Sequence, residues 1–288
     1  MRLRLPSLLL CLILLPGLAW AQPTAGDVLR EAYRAAEAQF EGVDTYIVTT
    51  TMEGSMTLFD SMKVYARKVE TDDGYTFVTE ARPFGGMAAM AGRAAPEGTR
   101  PASDLLGLNR KLYELFRNTA RYEGTETIHG RTAHVVAIDD ATALYRAMQP
   151  DGPAMDHLQA RNARLSFDAD TWDLLKTEME VSVGDGTADR TVHTVTELQD
   201  YRQTGSLRYP SRVVTRTSSP LSDAERQELE QRRRQMEAQL QQLPEAQRRQ
   251  LEGMLNMSAG MTSGEIEIVM VTKDVQVNVP LPEATGGR

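Results

Sequence analysis

Leu175-Lys-Thr-Glu-Met179-Glu-Val-Ser-Val183 decides the fold class. Leu175, Met179, Val181 and Val183 alternate with Lys176, Glu178, Glu180 and Ser182, the period of a strand with one buried and one wet face. The turn acids Asp168-Ala-Asp-Thr171 precede it, with another strand before them, so the segment reads as the second of a pair around that turn. Other segments carry the same signature. Tyr46 to Met52 reads as one strand, and Met56, Leu58, Met62, Val64 and Ala66 alternate along the next. Gly54 lies between them, and Asp60 is the one interruption on the apolar side. Tyr122 to Ile128 and Thr132 to Ile138 flank a His129-Gly130 turn. Thr191 to Leu198, Arg208 to Thr217 and Glu265 to Val279 continue the sheet, with Pro210 suited to a strand start or edge.

Working outward, three segments change the period. Thr24 can cap a helix over 24–41, where Val28, Leu29, Ala32, Tyr33, Ala36 and Phe40 recur at helical spacing and Gly42 stops the run. Ser103 caps a second helix through Asn118, with Leu105, Leu108, Leu112 and Leu115 on one stripe. Residues 219–257 open with a capping box, Ser222-x-x-Glu225. Leu229, Met236, Leu240 and Leu243 follow, then Pro244, then Leu251, Met254 and Leu255. This is a helical hairpin, or one kinked helix, inserted between two strands; it serves as a cover on the sheet or as a projecting arm. Residues 82–102, poor in charge and rich in Gly and Ala, read as a soft loop with Gly85-Gly86 and Gly92 as hinges. A large antiparallel sheet with one apolar face needs covering. The helices at 24–41 and 103–118 are there to do it, incompletely, which leaves an apolar cavity as the default ligand site.

The chain begins with Arg2 and Arg4, an apolar run Leu8 to Leu15, and Ala19-Trp-Ala21, the layout of a secretory signal peptide cut after Ala21. The run is shorter than the roughly 20 residues a membrane span needs, so no transmembrane segment is expected after cleavage. Residues 22–288 then form a single domain. The formal charge of −8 becomes two units more negative when the two arginines leave, which argues against nucleic acid as a partner. Cys11 is the one cysteine, so residues 22–288 have no disulfide, thiolate nucleophile or Cys-ligated metal. An exported, cysteine-free chain fits a bacterial periplasm.

Catalytic and cofactor signatures are missing. His129, His134, His157 and His193 show no metal-binding spacing, and a site built from His134 and His193 is weighed against ordinary strand-face packing. Asp139-Asp140 and Asp168-x-Asp170 read as turn acids, and Gly184-Asp-Gly186 lacks phosphate-loop spacing. No enzymatic activity, metal or cofactor is expected. Methionine is frequent, with 14 in the chain. Its flexible thioether fills irregular space, in an ordinary core or along a deformable acyl-binding surface. The candidate ligand-lining residues are Met52, Met56, Leu58, Met62, Val64, Met87, Met90, Leu175, Met179 and Val181. Met87 and Met90, on the soft loop, are expected to act as a gate over the cavity.

Tyr122-Glu-Gly-Thr-Glu-Thr-Ile-His-Gly-Arg-Thr-Ala-His-Val135 resembles the strand–turn–strand of the periplasmic outer-membrane lipoprotein carrier superfamily. Leu165-Ser-Phe-Asp-Ala-Asp-Thr-Trp172 is similar to its next strand and turn, Gly205-x-x-x-Tyr209-Pro210-Ser-Arg212 to a later strand, and Val269 to Pro282 to its closing strand. The resemblance implies an α+β fold: an open, strongly curved antiparallel half-barrel with helices on its concave face. It implies binding of lipid or lipoprotein acyl chains, in outer-membrane lipoprotein sorting or envelope maintenance. Some members instead sense envelope stress by regulating an anti-sigma factor, and that alternative would use the 219–257 insert to dock an envelope protein. The insert is longer than the superfamily pattern. The carrier's functional arginine has two candidates here, Arg67 and Arg82.

Overall fold

The computed structural model describes residues 22–54, 60–71, 74–84, 110–142, 144, 158–184, 189–220, 223–240 and 264–282. The leader, Met56, Leu58, Met87, Met90, the first part of the second helix and residues 241–257 of the insert lie outside the described residues.

Helix α1, Ala25–Gln39, forms where expected and for the expected reason. The Thr24 hydroxyl accepts from the Asp27 amide at 3.1 Å, and the Asp27 carboxylate accepts from the Thr24 amide at 3.1 Å, a reciprocal capping box. Val28, Leu29, Ala32 and Ala36 make the buried stripe. Gly42, at φ 71°, turns the chain out of the helix and into the sheet.

Ten strands follow: β1 Thr45–Gly54, β2 Ser61–Thr71, β3 Gly74–Phe84, β4 Arg121–Ile128, β5 Arg131–Ile138, β6 Leu158–Asp168, β7 Leu174–Gly184, β8 Asp189–Thr204, β9 Leu207–Ser218 and β10 Glu265–Val277. They make one antiparallel sheet in the order β3-β2-β1-β10-β9-β8-β7-β6-β5-β4. The sheet is open, with β3 and β4 at its ends. The last strand inserts beside the first, so residues 44–54 and 268–278 are neighbours. Helix α2, Arg110–Phe116, follows β3 in the chain, and helix α3, Asp223–Leu240, lies between β9 and β10.

The sheet is strongly curved, and one helix measures it. Eight interstrand steps of about 4.8 Å separate β3 from β5, roughly 38 Å along the sheet. Helix α1 is about 22 Å long at 1.5 Å per residue. Yet α1 packs on β5, and Phe40 just beyond it meets Phe77 of β3 with ring centroids 5.0 Å apart. The arc must bend round to bring both strands to one short helix. The side facing α1 is the inner, concave face.

Several details differ from the sequence reading. Strand β3 carries no clean alternation and is not foreseen; it takes residues 82–84 from the expected soft loop. The second helix buries Phe116 and stacks Tyr113 on Tyr33 of α1 with centroids 5.3 Å apart, whereas Leu115 is 44% exposed. The packed face is set by what α1 offers, one residue round from the leucine stripe. Pro210 is the fourth residue of β9, not its first, but β10 leaves the ladder at Arg212, so β9 is paired on one side only at the proline.

Candidate functional site

The inner face carries two apolar clusters. One joins Val28, Leu29 and Ala32 of α1 and Phe116 of α2 to Val136, Ile138, Leu165, Met179 and Val181. The other joins Val43, Tyr46, Val48, Met62, Val64, Ala66, Leu207 and Val275, with Phe40 and Phe77 against it. Register and alternation place a third strip on the same face, beside both clusters, where β7 to β10 and β1 run in parallel rows.

Leu198 stands opposite Val213, Val213 opposite Met270, and Met270 opposite Met52. The next row is Thr177, Thr196, Thr215 and Ile268; the one after is Met179, Thr194, Thr217 and Ile266. Val213, Thr215, Ile266, Ile268 and Met270 are half-buried. The threonines satisfy one another: the Thr196 and Thr215 hydroxyls are 3.1 Å apart, those of Thr194 and Thr217 3.3 Å. A paired hydroxyl can be covered by an apolar group at little cost, where an unpaired one cannot. None of these side chains is ionisable. At the margin of the strip the buried Thr50 hydroxyl, opposite Thr272, has no hydrogen-bond partner among the described residues.

Of the sequence candidates, Met62 and Val64 lie in the second cluster, Met179 and Val181 in the first, and Met52 in the strip between. Leu175 does not join them. Ser166 pairs with Lys176 but Phe167 pairs with Leu174, so Leu175 is the extra residue of a bulge. It packs instead with Ile128, Ala133 and Tyr201 in a separate small cluster. Alternation in the sequence is intact there; only the partner strand shows the slip. Sequence reasoning missed Val213, Ile266, Ile268 and Met270. Their alternation with Arg212, Val214, Glu267 and Val269 was the available signal, but valines on both sides of the strand blurred it.

The two histidines weighed for a metal part company. His134 stacks on Trp172 with centroids 5.4 Å apart and its Nδ1 is 3.0 Å from the Tyr122 hydroxyl. His193 is on β8, opposite Glu180 and Ser218, on the other face of the sheet. Among the described residues no group of three or more His, Cys, Asp or Glu is placed to hold a metal ion. Arg67 and Arg82 both fall on the outer face. Arg67 stands opposite exposed Val78, and Arg82 donates Nε to Glu80 at 2.6 Å while lying over the Tyr65 ring.

The outer face is built differently. Arg164 bridges Glu123 and Glu178 at 2.9 and 2.8 Å, Lys176 reaches Glu126 and Glu178 at 3.0 Å, and Arg216 bridges Glu197 and Glu267. Burial pushes the Glu178 carboxyl up, but Lys176 and Arg164 outweigh it and hold it below its ordinary value. These ion pairs lie on the outer side, and the inner strip carries no ionisable side chain.

No protein-family model and no curated protein matches the chain. Among solved structures it is similar to a DUF1329 family protein from Desulfovibrio piger, at 10% identity and a TM-score of 0.41, over 90% of this chain and 94% of that one. It is also similar to a LolA superfamily protein from Nitrosomonas europaea, at 10% identity and a TM-score of 0.38, over 88% of this chain and 95% of that one. The lipoprotein LppX of Mycobacterium tuberculosis matches at 13% identity and a TM-score of 0.22, over 54% of this chain and 88% of that one. These are likenesses of chain trace, and what the inner strip binds has to come from its own residues.

Proposed function

We propose that the protein binds the acyl chains of a lipid or of a lipidated protein along the inner strip. The observation that carries this reading is the neutral row Leu198–Val213–Met270–Met52, buried at Leu198 and half-buried at the other three, flanked by threonines whose hydroxyls satisfy each other. Such a surface gains from apolar cover and has nothing to offer a charged ligand. Each methylene buried on it contributes about 0.8 kcal/mol, so a long chain binds without a covalent step. In this reading residues 1–21 are a leader removed after Ala21, residues 22–288 work in the periplasm, and the role is outer-membrane lipoprotein sorting or envelope maintenance. No helix among the described residues is long and apolar enough to cross a membrane.

The test is binding of a fluorescent long-chain fatty acid, together with native mass spectrometry of protein recovered from its own compartment. Val213→Glu and Ile268→Glu each put a charge on the strip and should weaken the probe about ten-fold or more, since the chain then leaves a carboxylate to desolvate. The urea midpoint should move little, because both positions are half-buried. A protein that carries no lipid and ignores the probe overturns the reading. If residues 85–102 gate the strip, hydrogen exchange across 84–93 slows when the probe is bound; unchanged exchange makes the segment a tether.

A second reading rests on α3. Its described side chains are exposed or half-buried, with ion pairs Arg232–Glu228 and Arg234–Glu230 one turn apart. The β9–β10 hairpin is closed below it, where the Ser219 amide donates to the Gly264 carbonyl at 2.8 Å. Helix α3 therefore leaves from a finished hairpin, a placement suited to docking an envelope protein. Deleting residues 220–257 separates the two roles: loss of a co-purifying protein with lipid binding intact makes the insert an adaptor.

A further inference from the structure

The two ends of the open sheet are not alike. Strand β4 is guarded by a bulge between Tyr122 and Gly124, with Gly124 at φ 102°, and by Arg121, Glu123 and Glu126. These are the ordinary defences of an edge against pairing. Strand β3, Gly74–Phe84, is eleven residues long and pairs with β2 in unbroken register; its edge defences are one proline near its end, Pro83, and two charges of opposite sign, Glu80 and Arg82. Among the described residues it is the terminal strand. Val78 is 54% exposed and Phe84 48%, two of the three large apolar side chains that stand out on the described surface.

We infer that β3 pairs edge to edge with β3 of a second copy of this chain, antiparallel, with Ala81 opposite Ala81 on the two-fold axis. The backbone permits this register. The Phe84 carbonyl accepts from the Asp60 amide at 3.0 Å, so the even-numbered residues turn their peptide groups toward β2 and the odd-numbered ones turn theirs outward. Pro83 is an outward residue and faces Thr79 of the other copy; it has no N–H to give, so that pair keeps one of its two hydrogen bonds. Ala81 with Ala81 is then a hydrogen-bonded pair, and the residues on either side form the closer, non-hydrogen-bonded pairs.

Side-chain chemistry selects this register over its neighbours. With the axis at Ala81, Glu80 of each copy faces Arg82 of the other, and Val78 of each faces Phe84 of the other. Both ion pairs and both apolar pairs occur twice, on the outer face. Moving the axis to Glu80 or to Arg82 sets like charges directly opposite, and moving it to Thr79 sets Val78 against Glu80. Within one chain the Arg82 guanidinium uses Nε on Glu80, and the Glu80 carboxylate, 43% exposed, can accept from the facing copy's Arg82 as well. The axis stands perpendicular to the sheet, so the two inner faces open on the same side as one longer trough. Seven residues per copy make an interface below the roughly 1,200 Å² of a standard complex, so the association is weak and concentration-dependent.

Sedimentation equilibrium over a wide concentration range tests this. Wild-type protein should show a monomer–dimer equilibrium. Glu80→Arg and Arg82→Glu should each weaken association about ten-fold or more, because two facing pairs turn repulsive. Mixing the two single variants should restore association. One copy then carries a cation at both positions 80 and 82, the other an anion at both, and each cation faces an anion. An ion pair that acts only within one chain does not produce this complementation. Circular dichroism checks that each variant is folded. Should one fail to fold, Val78→Lys, which touches no ion pair, must weaken association instead. Wild type that stays monomeric throughout, or variants that associate unchanged, overturn the inference. So does a monomer whose Thr79 and Ala81 amides resist exchange, because another segment of the chain then covers the edge.

Discussion

Asp173 is the most constrained charge in the molecule. Its side chain is shut off from solvent, and Arg208 donates Nε to both of its carboxylate oxygens, at 2.9 and 2.8 Å. Thr171 donates its hydroxyl at 2.6 Å, and Arg131 approaches at 3.4 Å. Asp173→Asn keeps the shape and removes the charge, leaving two guanidiniums that are themselves a third exposed. We expect a loss of about 2–3 kcal/mol in urea unfolding, the range for hydrogen bonds to charged groups. Asp168 next to it makes the turn the sequence foresaw. It accepts from the Asp170 and Thr171 amides at 3.0 and 2.7 Å and pairs with Arg131 Nε at 2.7 Å. Burial pushes its carboxyl up, but the Thr171 and Asp170 amides and Arg131 outweigh that and hold it below its ordinary value. A lowered folded-state value means the contribution to stability is complete above the unfolded value, about 4, and is lost as pH falls through the folded one. The urea midpoint should therefore drop below about pH 4, and Asp168→Asn should flatten that drop. An equally steep fall in the variant would assign the acid sensitivity to other carboxyls, Glu178 first.

At the scale of elements, α1 sets the curvature, and its start is held in two ways. Thr24→Ala removes the capping box and should cost about 1 kcal/mol. Gly26 is a poor helix residue by propensity alone, and alanine there would ordinarily help by about 1 kcal/mol. A Cβ at this position, however, would lie 2.9 Å from the Arg117 carbonyl oxygen, where the end of α2 crosses α1. Gly26→Ala should therefore lower the thermal midpoint; a rise would mean the two helices can move apart freely. The strands show the same dependence on neighbours. A bulge opposite β6 carries Leu175 away from the face its alternation assigns, while Met179 and Val181 farther along β7 keep theirs.

At the scale of the whole molecule, the sheet is joined by pairing its first and last strands. Asn278, at φ 54°, is the fastener. Its Oδ1 accepts from the Asp44 amide at 2.8 Å, its Nδ2 donates to the Gly42 carbonyl at 2.7 Å, and its own amide donates to the Thr45 carbonyl at 2.7 Å. Asn278→Ala removes both side-chain bonds and puts a residue that avoids positive φ into that conformation. A loss of about 2–3 kcal/mol follows from two net hydrogen bonds and the backbone penalty. Because β10 is the bridge between the β1–β3 hairpins and the rest of the sheet, hydrogen exchange in this variant should rise across β1 to β3 together. Exchange that rises only at residues 44–46 would mean the bridge holds without the asparagine.

What the sequence by itself determined is local. Thr24 with Asp27 places a helix start, the left-handed pair His129-Gly130 places a hairpin turn, and Asp168 with Thr171 places another, because each signal needs only a few successive residues. Period-two alternation likewise placed most strands. Tertiary structure alone decided the rest. Strand β3 reads weakly because an edge strand has two partly wetted faces and little need to alternate. That β1 pairs with β10, across more than two hundred residues, joins the two parts of the open sheet and leaves no mark in either strand. The face of Leu175, the outward turn of Arg67 and Arg82 and the rows that bring Leu198, Val213, Met270 and Met52 together depend on register between strands. Register is a property of two segments at once, so one segment's sequence does not contain it.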